Sequence, residues 1–175
     1  MNAYLSLPGV RFKESYLSAL REYHEEGRFL EDKPDEISAD FETYVGKEKG
    51  KARGENLPPG FIPETRYWLV DGDEYIGETG IRHYLTPHLL QIGGHIGYVV
   101  RPSRRKQGYG KLILKLGLEK AKEMRIEKVI LTCDVTNEGS RKIIEGNGGV
   151  FENAVPNPGN PDKARFWIDI TKPAS

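Results

Sequence analysis

Cysteine is almost absent: Cys133 is the only one in 175 residues. A lone thiol excludes an internal disulfide framework and fits a reducing compartment. Long apolar runs are missing as well. No segment reaches the roughly 18 apolar residues that a membrane-spanning helix needs. The opening Met-Asn-Ala-Tyr-Leu-Ser lacks the basic-then-apolar pattern of a secretory leader. Excess charge of either sign is absent too, with Lys plus Arg and Asp plus Glu each at 26. That balance argues against nucleic acid or a membrane surface as partner. The expectation is a soluble, cytoplasmic, single domain over residues 1–175. Such a chain is long enough to bury about two thirds of its unfolded surface.

Metal chemistry finds little support. His83, His88 and His95 match no zinc spacing, and no cysteine accompanies them. Cys133 lies in an apolar run beside Leu131 and Val135 and reads as a buried structural thiol.

What is present is concentrated between Ile96 and Met124. A short apolar strand, Ile96 to Val100, enters a basic turn, Arg101 to Gln107. Gly108 and Gly110 follow, and then a long amphipathic helix. Glycines let backbone N–H groups approach a ligand, and the first turn of a helix has N–H groups without intrahelical partners. The helix dipole adds positive charge there, so a phosphate or pyrophosphate is the natural occupant. Arg101, Arg104, Arg105 and Lys106 are expected to strengthen that field. A Walker A loop is excluded, because Leu112 follows Gly110-Lys111. The dinucleotide fingerprint fails at Ile113, where its third glycine belongs. R-x-x-G-x-G, from Arg105 to Gly110, remains.

Around this stretch the chain alternates readable segments. Ala3 to Leu7 suits a short strand stopped by Pro8-Gly9, and Phe12, Tyr16, Leu20 and Tyr23 recur at helical spacing before Gly27. Pro34-Asp35 is read as a break, Ala39 to Lys49 as a second helix and Lys49 to Pro63 as a long loop. Thr65–Val70 and Glu74–His83 form a hairpin around Asp71-Gly72-Asp73, and Tyr84–Gly93 is a connecting loop. After the long helix, Lys128–Val135 reads as an apolar strand, parallel to the one before the glycines by the crossover rule. Asn137 caps a short helix, and Val150–Val155 and Ala164–Ile170 close as an antiparallel pair.

The loop R-x-x-G-x-G between strand and helix, together with this element order, resembles the GCN5-related N-acetyltransferase family. The likeness covers nearly the whole chain and is strongest from Tyr67 to Phe151. I-R-H at Ile81 to His83 and G-G-H-I-G-Y at Gly93 to Tyr98 look like a bacterial subgroup of predicted acetyltransferases. The resemblance implies an acyl-CoA N-acyltransferase fold, α+β. Its mostly antiparallel sheet would splay between two parallel strands, flanked by about four helices.

It also implies acetyl-CoA as acetyl donor and no metal. Val99 and Val100 would meet the pantetheine arm, and Arg105, Lys106, Gln107, Gly108, Tyr109, Gly110 and Lys111 would hold the pyrophosphate. Asn137 and Ser140 match the family's N-x-x-S stretch, in which the asparagine contacts the cofactor; a plain helix cap is the other reading of Asn137. The tyrosine that usually follows, to protonate the departing thiolate, is Ile144 here, so the general acid is unassigned. The usual glutamate base falls near Gly94. His95 and Glu78 are the candidates to deprotonate the acceptor amine. Backbone N–H near Val99 would polarise the thioester carbonyl.

The expected activity is acetyl transfer from acetyl-CoA to a small-molecule or peptide amine by direct attack in a ternary complex. Arg82, Tyr84, Trp68 and Arg66 would line the acceptor site, a set that leans toward a small acceptor carrying a carboxylate. A homodimer through an edge near the C-terminus is an open possibility. The rival from another class is a non-catalytic acyl-CoA sensor. A third reading, a nucleotide triphosphate binder, requires magnesium-dependent ATP affinity, which is not expected.

Overall fold

The computed structural model describes residues 2–171. The chain opens with β1 (Tyr4–Ser6), α1 (Lys13–Glu25), α2 (Pro34–Ala39) and α3 (Phe41–Gly50). The hairpin β2 (Glu64–Asp71) and β3 (Glu74–Arg82) follows, then α4 (Pro87–Gln91) and β4 (Ile96–Val100). The second half contains α5 (Tyr109–Glu123), β5 (Lys128–Asp134), α6 (Glu138–Glu145), β6 (Val150–Val155) and β7 (Lys163–Asp169). No helix among the described residues is long and apolar enough to cross a membrane.

Six α-helices lie among the described residues, against the four expected. Both additions begin at proline. Pro34, read as a break, starts α2 after an extended Lys33, and Pro87 starts α4 where Thr86 Oγ1 accepts the Leu89 N–H at 3.2 Å. Proline's fixed φ suits the first turn of a helix, so the same residue can open an element as well as interrupt one.

The strands form two antiparallel sheets, ordered β1-β2-β3-β4 and β5-β7-β6. The crossover rule governs strands of one sheet. Here β4 and β5 belong to different sheets, and the expected parallel pair forms no ladder among the described residues. The sheets touch at an isolated bridge between Gly94 and Leu131. His95 N–H donates to the Ile130 carbonyl at 2.8 Å, and Gly93 N–H donates to Thr132 Oγ1 at 3.0 Å. The Ile130 N–H donates to His95 Nδ1 at 3.1 Å. An imidazole nitrogen thus takes the donor that a continuing ladder would have given to a backbone carbonyl, and the strands separate beyond it.

Apolar burial holds the two layers. On one face of β2 and β3, Phe12, Tyr16, Phe41, Trp68 and Tyr75 pack with Val99 under α1 and α3. On the other, Ile113 and Leu114 of α5 are fully buried. Gly117 brings that helix close to the sheet, its missing Cβ directed at Thr79 and Ile96.

Gly94 is the least replaceable residue of the seam. Its φ is +66°, and a Cβ there would lie 2.4 Å from the Ile130 carbonyl oxygen. Gly94→Ala is expected to lower the unfolding free energy by about 1–3 kcal/mol from left-handed strain alone, with the clash added. Urea denaturation checks this. A loss below about 0.5 kcal/mol, the range of a neutral surface change, would show that the seam yields freely.

Candidate active site

The glycine loop is built as a receiver for negative charge. Pro102–Arg104 makes a single 3-10 turn, Arg105 is extended, and Lys106 and Gly108 take left-handed φ of 59° and 86°. Those reversals aim the chain into α5 with its N-terminus toward the gap between the sheets. Leu112 N–H bonds the Gly108 carbonyl at 3.2 Å. The N–H groups of Tyr109, Gly110 and Lys111 precede that first helical bond and are the ones the geometry offers to an anion. At Gly110 a Cβ would also meet Ile143 Cδ1 at 2.6 Å, so this glycine lets α6 pack against α5.

The basic side chains do not all serve that field. Arg101 bonds Glu22 at 2.7 Å and Ser18 at 2.8 Å. Arg104 grips Glu74 through two bonds of 2.8 and 2.9 Å, and Arg105 grips Glu26 through two of 2.7 Å. Arg105 holds the Glu26 carboxyl below its usual range. Arg105 Nε also donates to the Val100 carbonyl at 3.1 Å, and Gln107 Nε2 donates to the Ser103 carbonyl at 3.2 Å. Of the four cations expected to strengthen the field, three fasten the loop to α1 and to the start of β3. Glu22 and Glu26 were not singled out from sequence; their i,i+4 spacing on α1 was the available signal.

Along β4 the backbone alternates. Arg82 N–H bonds the His95 carbonyl at 2.9 Å and Arg101 N–H bonds the Ile76 carbonyl at 2.8 Å. With Glu78 opposite Val99 in this register, Val99 pairs inward to β3. The N–H groups of Tyr98 and Val100 therefore turn toward the gap, one residue either side of the expected Val99. The Val99 side chain joins the cluster under α1, and Val100 packs toward α5.

Across the gap, Asn137 Oδ1 accepts the Ser140 N–H at 2.9 Å as a helix cap. Ser140 Oγ is 2.9 Å from the hydroxyl of Tyr98, whose pKa burial pushes up to about 12. Ile144 is 1 % exposed and fills the core beside Ile96, Leu131 and Cys133. A phenol does stand beside α6, but it is contributed by β4.

The two base candidates differ in setting. His95 Nδ1 is taken by the Ile130 N–H, which leaves the neutral ring's proton on Nε2; burial lowers the ring's pKa. Glu78 is enclosed on the α1 side of β3, with Arg66 2.8 Å from Oε1 and the Tyr75 hydroxyl 3.2 Å from Oε2. Burial raises its pKa. Tyr75 and Glu78 would face opposite sides of a regular strand. They share one because the β2–β3 register passes over Ile76, a bulge.

The four residues expected at the acceptor site are not brought together as one surface. Trp68 is 0 % exposed and stacked on Tyr16 at 4.7 Å between ring centroids, so it belongs to the core. Arg66 contacts Glu48, Glu64 and Glu78 at 3.3, 3.1 and 2.8 Å. Arg82 donates to the Gly93 and Gly94 carbonyls at 3.1 and 2.8 Å, fixing the turn before β4. Tyr84 is 55 % exposed. Among the described residues, no group of three or more His, Cys, Asp or Glu is placed to hold a metal ion.

Two sheets part over a glycine loop and a helix N-terminus, an arrangement whose main-chain N–H groups can receive an anion. The chain belongs to the acetyltransferase (GNAT) domain family, whose model matches residues 20–150. Solved structures share the fold at low identity. One is an acetyltransferase from Salmonella typhimurium that modifies the N-terminal serine of a 50S ribosomal subunit protein. It has a TM-score of 0.67 and 14% identity, with 97% of this chain and 95% of that one covered. Another is the microcin self-immunity acetyltransferase MccE in complex with acetyl-CoA and AMP, at TM-score 0.67 and 12% identity, covering 96% and 92%. A chimera of spermidine N-acetyltransferase SpeG from Vibrio cholerae with hSSAT gives TM-score 0.63 and 16% identity, covering 98% and 97%. No curated protein sequence matches the chain.

The seam predicts the behaviour of His95. Its folded pKa lies below the unfolded value near ~6.5, so its contribution to stability is full above that pH and falls as pH drops through it. Nitrogen NMR of labelled histidine should show Nε2 protonated and Nδ1 bare at pH 7, with a midpoint below that of a free imidazole. A midpoint above it, or a proton on Nδ1, would contradict the bond to Ile130.

Proposed function

We propose that this chain transfers an acetyl group from acetyl-CoA to the amine of a small-molecule or peptide acceptor. The observation that carries the reading is the gap between β4 and β5 set against the N-terminus of α5. Tyr109, Gly110 and Lys111 N–H groups receive the pyrophosphate, with Lys106 and Lys111 ammonium groups nearby, while Arg105 and Gln107 hold the loop's shape. The main-chain N–H groups of Tyr98 and Val100 line the pantetheine side of β4, Val99 backs them by pairing to β3, and Asn137 and Ser140 set the facing end of α6. Bound there, acetyl-CoA supplies an activated acyl carbon and a thiolate leaving group.

The side chains on either wall then divide the proton work. Glu78, a carboxylate made more basic by burial, takes the proton from the attacking amine. The N–H groups of Tyr98 and Val100 stabilise charge on the carbonyl oxygen. The Tyr98 hydroxyl, steadied by Ser140, gives a proton to the departing sulfur. His95, with Nδ1 committed to the Ile130 N–H, keeps the gap in shape.

One structural fact favours a second reading, a non-catalytic acyl-CoA sensor: the position expected to carry a phenol, Ile144, is core. Thiol release from acetyl-CoA over a panel of amines separates the two. Glu78→Gln should lower kcat by about 10²–10⁴ and remove the acid limb of the pH profile, which lies above the ordinary carboxylate range, with acetyl-CoA affinity by calorimetry unchanged. Tyr98→Phe should lower kcat in the same range. Binding without turnover on any amine would favour the sensor, and no binding by the folded protein would end both readings.

A further inference from the structure

Three glycines lie inside strands among the described residues: Gly77, Gly80 and Gly97. A strand interior is a poor place for glycine, which has no side chain to pack and loses more conformational freedom on folding than any other residue. Two of the three have a structural reason to be there. A Cβ on Gly77 would meet the Val99 backbone. The bare face of Gly80 is covered by the Glu64 carboxylate, which Arg66 and Arg82 hold at 3.1 and 3.6 Å. Gly97 has no such reason. Its φ lies outside the left-handed region, it is exposed, and a Cβ there would meet nothing within 4 Å. A strand glycine that neither the backbone nor a neighbour requires is a mark of close approach by a ligand.

The register of the ladder says what this opening joins. Gly97 pairs with Gly80 and Val99 with Glu78, so these four share the α1 face of the sheet, while Ile96, Tyr98 and Val100 face α5. Because β4 is the last strand of its sheet, anything passing between Glu78 on β3 and the gap must cross β4 on that face. Directly opposite Glu78 the crossing is blocked by the Val99 side chain, packed under α1. Two residues along, at Gly97, no side chain stands on β4, and the next residue is Tyr98, whose N–H turns toward the gap. Diagonal positions of an antiparallel ladder are about 7–8 Å apart, a span that a reacting group or one bridging water covers.

We propose that Gly97 keeps open a passage over β4, joining the acyl end of a donor held in the gap to the α1 face that carries Glu78, and that a branched side chain at this position closes it. This rests on the acetyl-transfer reading and names the residue that sets access to its reacting carbon. The strand itself has room for a side chain at Gly97; the passage does not.

S-Butyl-coenzyme A, an unreactive thioether, is the probe, since its alkyl group leaves the sulfur where an acyl group would. Coenzyme A is the reference, and both are titrated by calorimetry into the full chain and into Gly97→Ala and Gly97→Val. The wild type should bind the two with similar affinity. Gly97→Val should bind coenzyme A as the wild type does and S-butyl-coenzyme A about tenfold more weakly, with Gly97→Ala between. Both variants should keep or raise the thermal midpoint, because the added Cβ meets nothing and restricts the unfolded chain, whereas a glycine kept for packing alone would lower it. Unaltered affinity of Gly97→Val for the thioether, equal loss of both ligands, a lowered midpoint, or rejection of the thioether by the wild type overturns the proposal. If the wild type still binds coenzyme A in that case, the cofactor reading survives; if it does not, both fall.

Discussion

One bond decides where this molecule opens. At the seam between the two sheets the Ile130 N–H is answered by His95 Nδ1 instead of by a backbone carbonyl. A ladder continues only while each strand supplies alternating donors and acceptors to the next. Once a side chain takes the donor, β4 and β5 are released and the outward groups of Tyr98 and Val100 face the gap. Gly94 makes the substitution possible, since its left-handed turn brings His95 against Ile130 without a clashing Cβ. The proposed donor site is therefore a consequence of an interrupted sheet.

The same economy governs charge. An arginine-rich turn beside a phosphate-binding helix invites the view that every guanidinium meets the phosphate. Yet Arg101, Arg104 and Arg105 pair with Glu22, Glu74 and Glu26. The pairs of Arg104 and Arg105, nearer the surface than that of Arg101, contribute about 0–1 kcal/mol each, so their value is positional more than energetic. They fix a strained loop, with left-handed Lys106 and Gly108, to α1 and to the start of β3. In the proposed site the anion is left to main-chain N–H groups, which lose no side-chain entropy on binding and cannot swing away.

Much of this was legible in the sequence because periodicity and punctuation are local. The α1 and α5 stripes, the hairpin around Gly72, the glycine loop and the Asn137 cap all follow from spacing and turn chemistry, and the structure places each close to where the sequence suggests. What sequence could not give is nonlocal. Nothing around Arg105 reveals Glu26, 79 residues away, as its partner. Nothing in I-P-E-T-R-Y-W says that Trp68 faces inward while Arg66 on the same face finds three carboxylates. Pro34 misled because a proline restricts the residue before it in the same way whether a helix ends or begins there.

The acceptor side turns on an irregularity of a single residue. In an unbroken strand Tyr75 would point with Ile76's opposite neighbours, toward α5, whenever Glu78 points toward α1. The extra residue at Ile76 changes that parity and lays both side chains under α1, where Tyr75 donates to Glu78 Oε2. The bulge also leaves Ile76 and Val100 on the α5 side, packed with Ile113, so no apolar burial is forfeited. Deleting Ile76 would regularise the ladder and keep Tyr75 and Glu78 on one face, two residues apart, but would remove the apolar side chain that the bulge sends toward α5. Bulges that re-aim a side chain beside a site are a recurrent device. Here the device couples the two halves of the chemistry, because the strand that places Glu78 is also the inner partner of Val99, the residue flanked by the N–H groups that face the gap.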